Sequence, residues 1–178
     1  TIPDFDFGKT EAAQRLRDTL YEQYRCHVGN DFVVFVLGAP ADLRVAPGGG
    51  VGFGGLGSGK HLRGAWFPAV DASGVALVEM GKIRRAGIRF AADEAATRAL
   101  LEVAGTRDNQ VVTFVVNRTE SIQVTLPVPG QRYGVELPLA SARAGQYGVT
   151  VDTGDTEGGV RLYALRIPGS PGRQERRY

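Results

Sequence analysis

Apolar positions along this chain follow two periods. Ala12, Ala13, Leu16, Leu20 and Tyr24 recur at helical spacing, while Arg15 and Arg17 fall off that stripe. Thr10 suits an N-cap, Glu11 places negative charge in the first turn, and Gly29-Asn30 stops the helix. A second helix is predicted after Asp93, with Ala96, Leu100, Leu101 and Val103 on its apolar side. The other apolar runs have the length and β-branched content of strands. Residues 32–37 read as a buried strand, and Gly38-Ala39-Pro40 turns it into a strand where Leu43 and Val45 flank Arg44. Residues 66–70 and 75–80 form a hairpin across Asp71-Ala72-Ser73-Gly74, and residues 111–116 and 122–126 form another. Residues 133–139 make a short strand, and residues 147–151 and 160–167 form the last hairpin.

The pattern occurs twice. F-x-x-x-E-A-A-x-R from Phe7 returns as F-A-A-D-E-A-A-T-R from Phe90, and N-D-F-V-V-F-V from Asn30 returns as N-Q-V-V-T-F-V-V from Asn109. WFPAVD at Trp66 is echoed by YGVTVD at Tyr147, and VALVEM at Val75 by VRLYAL at Val160. The offset is about eighty residues, and self-similarity at a fixed period decides how a fold is read. The expectation is an α+β protein made of two tandem copies of a helix-plus-antiparallel-strand unit, each a partly open barrel. The first copy covers residues 1–82 and includes a glycine-rich loop at 46–64; the second covers 83–168; residues 169–178 form a flexible tail. Phe53 and Leu56 argue that the glycine-rich loop is more than a solvated tether.

A hydrophobic fraction of 43% allows a real core. Lys and Arg number 21 against 19 Asp and Glu, which leaves no case for a nucleic-acid footprint; Arg173, Arg176 and Arg177 read as a solvated tail. Cys26 is the one cysteine, so no intrachain disulfide forms, and its neighbour His27 is not the spatial partner that nucleophilic catalysis needs. No run approaches the ~18 apolar residues of a membrane span. A soluble chain is expected, the cytoplasm preferred, although a start at Thr1 is compatible with a removed export signal.

Three motif matches carry little chemistry. Residues 54–61 match G-x-x-x-x-G-K, but His61 stands where magnesium binding needs Ser or Thr. Asp152-Thr153-Gly154 matches an aspartic-peptidase triplet, with Asp71 at the repeat-equivalent position, yet Asp, Ser, Thr and Gly are also turn residues. His27 and His61 have no metal-ligand spacing, and Asn117-Arg118-Thr119 is a formal glycosylation sequon in a tight turn. No catalytic residue, metal or cofactor is expected, and enzymatic activity is left open.

D-E-A-A-T-R-A-L-L-E-V-A-G followed by V-V-T-F-V-V-N-R-T-E-S-I-Q-V-T-L resembles the closing helix and last strands of a PDZ domain. S-G-V-A-L-V-E-M with R-R-A-G-I resembles the strand and Ala-Gly-Ile element before it, and Y-G-V-T-V-D with G-G-V-R-L-Y-A-L-R-I-P-G-S-P resembles a PDZ opening. The order suggests tandem, circularly permuted PDZ-like units, an arrangement also similar to the GRASP family of Golgi stacking proteins. The resemblance implies a protein–protein interaction module that captures an extended peptide or protein terminus by strand addition. Its groove would use Gly64, Ala65, Trp66, Phe67 and Leu100 in one unit, and Gly145, Gln146, Tyr147, Gly148 and Leu16 in the other. The alternatives are a self-assembling scaffold or virion protein, with a homo-oligomer as partner, and an accessory domain of a larger enzyme.

Overall fold

The computed structural model describes residues 10–23, 25–28, 33–36, 43–55, 62–93, 95–139 and 145–169. In chain order these form α1 (Glu11–Gln23), β1 (Arg25–Val28), β2 (Val33–Val36), β3 (Arg44–Val45) and β4 (Gly50–Gly52). A 3-10 turn (Phe53–Gly55) leads to β5 (Leu62–Arg63), β6 (Trp66–Val70), β7 (Ala76–Met80), β8 (Arg85–Ala92) and β9 (Arg98–Gly105). Then follow β10 (Gln110–Val116), β11 (Glu120–Leu126), β12 (Tyr133–Pro138), β13 (Gln146–Asp152) and β14 (Val160–Arg166).

Twelve of these strands build two six-stranded sheets. The first has the order β11-β10-β13-β8-β3, with β5 also on β8; the second has the order β12-β9-β14-β7-β6, with β4 also on β14. One buried cluster joins them: Ile88, Phe114 and Val151 come from the first sheet, Leu101, Leu137 and Leu162 from the second. Side chains alternate in and out with period two, as in β10, where Val112, Phe114 and Val116 are buried between Val111, Thr113 and Val115. The chain is therefore a β-sandwich. Among the described residues β1 and β2 pair only with each other, and α1 lies against β8 and β5.

Local signals were sound where structure is local. Thr10 Oγ1 accepts the Ala13 N–H at 3.2 Å, the expected N-cap. β6 and β7 form the expected hairpin, and so do β10 and β11. Asn117 and Arg118 turn the second hairpin with φ values of 49° and 63°. That left-handed pair matches the twist of the flanking strands.

The α+β duplication is corrected by the long-range pairing. Asp93 does accept the Ala95 N–H at 2.8 Å, but only a turn follows, and residues 98–105 are β9 instead of a second helix. Ala-Leu-Leu-Glu favours a helix in isolation. Here β12 and β14 pair with both its edges, and Ala99, Leu101 and Val103 all enter the core. The matched segments also land in unlike places. WFPAVD is β6, at the edge of the second sheet, while YGVTVD is β13, inside the first. β7 and β14, the other matched pair, are neighbours in one sheet. β13 and β14 are no hairpin, since they belong to different sheets. With β9 in place of the second helix and the matched strands in unlike positions, the resemblance to PDZ and GRASP proteins does not stand. The Gly29-Asn30 stop, most of the loop at 56–61 and the tail beyond Gly169 lie outside the described residues.

Candidate functional site

A row of polar side chains crosses the outer face of the first sheet. Arg85 of β8 lies opposite Asp152 of β13, Asp152 opposite Thr113 of β10, and Thr113 opposite Gln123 of β11. Facing residues in adjacent strands point to the same side, so the four form one ladder. The next row is Gly87, Thr150, Val115 and Ser121, all small or β-branched, which keeps the face low. Asp152, Thr113 and Gln123 of this ladder open into a trough of about 520 Å³, lined also by Arg84, Arg107, Asp108, Asn109, Val111 and Thr153.

Asp152 anchors this site. Arg84 Nε donates to its Oδ1 at 3.1 Å, Arg85 Nε to its Oδ2 at 2.7 Å, and the Gly154 N–H to Oδ1 at 2.8 Å. Burial raises its pKa, but the hydrogen bonds from Arg84, Arg85 and Gly154 outweigh burial and leave the pKa below the usual carboxylate value. Asp155 is lowered too, chiefly by Arg107, whose Nη2 donates to Oδ2 at 2.7 Å. Both carboxylates are thus ionised at neutral pH and act as acceptors.

The rim is laced together from two loops. Gln110, buried at the start of β10, accepts the Thr106 N–H at 2.8 Å and donates to the Gly159 carbonyl at 2.9 Å. The Gly159 N–H donates back to Thr106 Oγ1 at 2.9 Å. The buried Thr153 hydroxyl lies 3.0 Å from the Arg84 carbonyl and 2.8 Å from that of Asp155. A Cβ at Gly158 would come within 2.9 Å of both Arg107 Nε and Gln110 Nε2, so a larger residue there would push one of these side chains aside. Arg107 and Asn109 are held on one wall and Asp152 to Gly154 on the other, which is a preorganised arrangement of planar donors and acceptors.

The residues expected from the sequence do not converge on one groove. Gly64 adopts φ 86° between β5 and β6, Ala65 is buried, and Trp66 Nε1 donates to the Arg63 carbonyl at 2.9 Å. Phe67 is exposed on β6, and Leu100 is exposed on the outer face of the second sheet. Gly145 has φ 66°, while Gln146, Tyr147 and Gly148 lie on β13. Tyr147 is buried, its ring centroid 5.3 Å from that of Phe90. Leu16 is exposed on α1. Capture of a peptide terminus is corrected on this geometry. β13 has β8 on one edge and β10 on the other, so it has no free edge to offer. β6 is an edge strand, but the helix meant to flank it is β9, three strands away.

The peptidase-like aspartates are also separated: Asp152 belongs to the first sheet, and Asp71 follows β6 in the second. Each is lowered by hydrogen bonds, the opposite of a pair that shares a proton. Among the described residues no group of three His, Cys, Asp or Glu side chains could hold a metal ion, and no helix is long and apolar enough to cross a membrane. The side chains of Cys26 and His27, and all of His61, lie outside the description.

No protein-family model matches the chain, and no curated protein matches it in sequence. Among solved structures it is similar to a family 6 carbohydrate-binding module, with TM-score 0.48 and 11% identity over 73% of this chain and 100% of that one. It is similar to CsCBM6-3 from Clostridium stercorarium in complex with cellobiose, with TM-score 0.47 and 13% identity over 71% of this chain and 98% of that one. A family two carbohydrate esterase from Cellvibrio japonicus gives TM-score 0.47 and 14% identity over 68% of this chain. This chain spans 33% of that esterase.

Proposed function

We propose that the protein binds a neutral carbohydrate in the trough of the first sheet. The observation that carries this reading is the row of Asp152, Thr113 and Gln123, with Arg84 beside it, opening toward Arg107 and Asn109. A sugar ring offers neighbouring hydroxyls, each a donor and an acceptor. Guanidinium, carboxylate and amide groups offer two such positions in one plane and match adjacent hydroxyls as a pair. Val111, exposed in the trough, gives the C–H face of a ring an apolar contact.

Charge favours a neutral ligand. Of the residues that line the trough, Arg84 and Arg107 are balanced by Asp108 and Asp152, two against two. The ligand then displaces water from groups already held in place, without having to neutralise them.

Isothermal titration with neutral oligosaccharides of glucose, xylose and galactose tests the reading. Saturable binding is expected, little changed between low and high salt. Gln123→Ala and Arg107→Ala should each weaken it by about tenfold, equal to about 1.4 kcal/mol. Absence of binding across the panel, or binding that both variants leave unchanged, would sink the proposal.

A further inference from the structure

The outer face of the second sheet hides an apolar patch that lies outside the sandwich core. Leu77 of β7, Ala104 of β9 and Tyr163 of β14 are 1%, 0% and 4% exposed, with Ala69 of β6 packed against them. Tyr163 reaches this face through a bulge. β14 pairs Leu162 with Val103 and Ala164 with Glu102, so Tyr163 is an extra residue in the strand. Bulges redirect side chains in this way and concentrate at functional sites.

The cover is Arg132, from the loop between β11 and β12. Its guanidinium carbon stands 4.2 Å from the Tyr163 ring centroid. Nη2 donates to Asp71 Oδ2 at 2.8 Å and Nη1 to Glu102 Oε1 at 3.4 Å. Alongside, Arg161 Nε donates to Glu79 Oε2 at 2.7 Å. A cation thus sits on an aromatic face between carboxylates, the arrangement that recognises organic cations.

Two features remain unsatisfied. The buried Tyr163 hydroxyl makes no well-formed hydrogen bond, although Asp71 and Arg132 lie beside it, a costly state for a polar group. Burial, and then the nearby Asp71 charge, push its pKa up, so it remains a proton donor. The cluster is also unbalanced: Asp71, Glu79 and Glu102 are three carboxylates against the two guanidiniums of Arg132 and Arg161.

We propose that this face is a second binding site, for a ligand that bears an alkylammonium or guanidinium group, and that Arg132 occupies it here as the chain's own cation. The ligand's cation takes the Tyr163 ring and the Asp71 and Glu102 carboxylates, and an acceptor on the ligand receives the Tyr163 hydroxyl proton. Arg132 leaves by rotating its side chain. Its loop stays anchored, because the Gly130 N–H donates to the Gly105 carbonyl at 2.9 Å and the Val128 N–H to the Tyr133 hydroxyl at 3.2 Å. The site uses residues of the second sheet and its loops, so it stands whether or not the first sheet binds sugar.

The test is an amide NMR titration of the whole chain with methylguanidinium and with ethanolammonium chloride, against sodium chloride at equal ionic strength. Saturable shifts are expected at residues 102–104 and 161–164 and not at Thr113 or Gln123. Arg132→Ala should tighten both ligands and Glu102→Gln should loosen them, each by about tenfold. Tyr163→Phe should weaken ethanolammonium, which carries an acceptor, and spare methylguanidinium. Shifts reproduced by sodium chloride, or none in either the wild type or a folded Glu102→Gln variant, would overturn the proposal. So would an Arg132→Ala chain that folds and binds no more tightly.

Discussion

On the first sheet, Asp152 receives Arg84 and Arg85 from the start of the neighbouring strand, and all three lie along the face. On the second, Asp71 receives Arg132 from a loop that reaches over the face. Both carboxylates are neutralised by guanidinium groups, but the direction of approach decides what solvent meets. Lateral pairing leaves a trough open with its donors and acceptors in place. Pairing from above closes an aromatic floor. The difference teaches that an ion pair on a sheet face can either build a site or fill one.

Removing Asp152 should give the largest effect and break the comparison from the first-sheet side. Asp152→Ala strands two guanidiniums and the Gly154 N–H beside a partly buried position. A loss of about 2 kcal/mol is expected in chemical denaturation, within the range for charge-assisted hydrogen bonds. Sugar binding in the trough should vanish while the cation titration on the second sheet is unchanged. Coupled loss at both faces would show that they are not independent.

A steric change should act more gently on the same wall. Gly158→Ala pushes a methyl group toward Arg107 and Gln110. Arg107 is held at one point, by the half-exposed Asp155 carboxylate, so its guanidinium can shift. Gln110 is bound at both ends of its amide, to Thr106 and to Gly159. A cost of about 1 kcal/mol is expected, with weaker sugar binding because Arg107 is the group that yields. Thermal unfolding and titration on one sample check both halves, and unchanged affinity would remove Arg107 from the site.

Acid should reveal Asp152 by a smaller signature. Its native pKa lies below the ordinary value of 3.8. As pH falls from that value toward the native one, the unfolded chain takes up the proton first. Stability is therefore full above the ordinary value and declines below it. Asp152→Asn should flatten this acid limb in denaturation curves recorded between neutral pH and strong acid. An acid limb of unchanged slope would mean that other carboxylates carry it.

The hairpins and caps were legible because their signals sit within a few residues of one another. Asp71 with Ser73 and Gly74, or Asn117 with Arg118, specify a turn without help from the rest of the chain. β9 was not legible, since Ala-Leu-Leu-Glu-Val fits both periods and the choice was made by β12 and β14, one of them some sixty residues later in the chain. The echo between WFPAVD and YGVTVD was real as text, yet alternating apolar residues before Asp recur wherever a half-buried strand meets a turn. The trough was visible only in pieces. Arg84-Arg85 falls in a segment that resembles a PDZ element and Asp152-Thr153-Gly154 reads as a turn, and nothing local says that residues 67 and 68 positions apart share one carboxylate.

The smallest effect sharpens the comparison from the other side. Arg98 and Glu136 are diagonal neighbours on β9 and β12, on the same outer face as the Arg132 latch, at 3.2 Å. Both side chains are more than half exposed, at 55% and 61%. Water screens such a pair, and ordering two long side chains offsets what attraction remains. Arg98→Ala should therefore shift stability by no more than about 0.5 kcal/mol and leave both titrations unchanged. The ion pairs of Asp152 and Arg132 differ from this one in what lies beneath them, a partly buried carboxylate in one case and a buried aromatic ring in the other. If Arg98→Ala proved as damaging as Asp152→Ala, pairing alone would matter and position would not. The distinction between a site that is built and a site that is filled would then lose its physical basis.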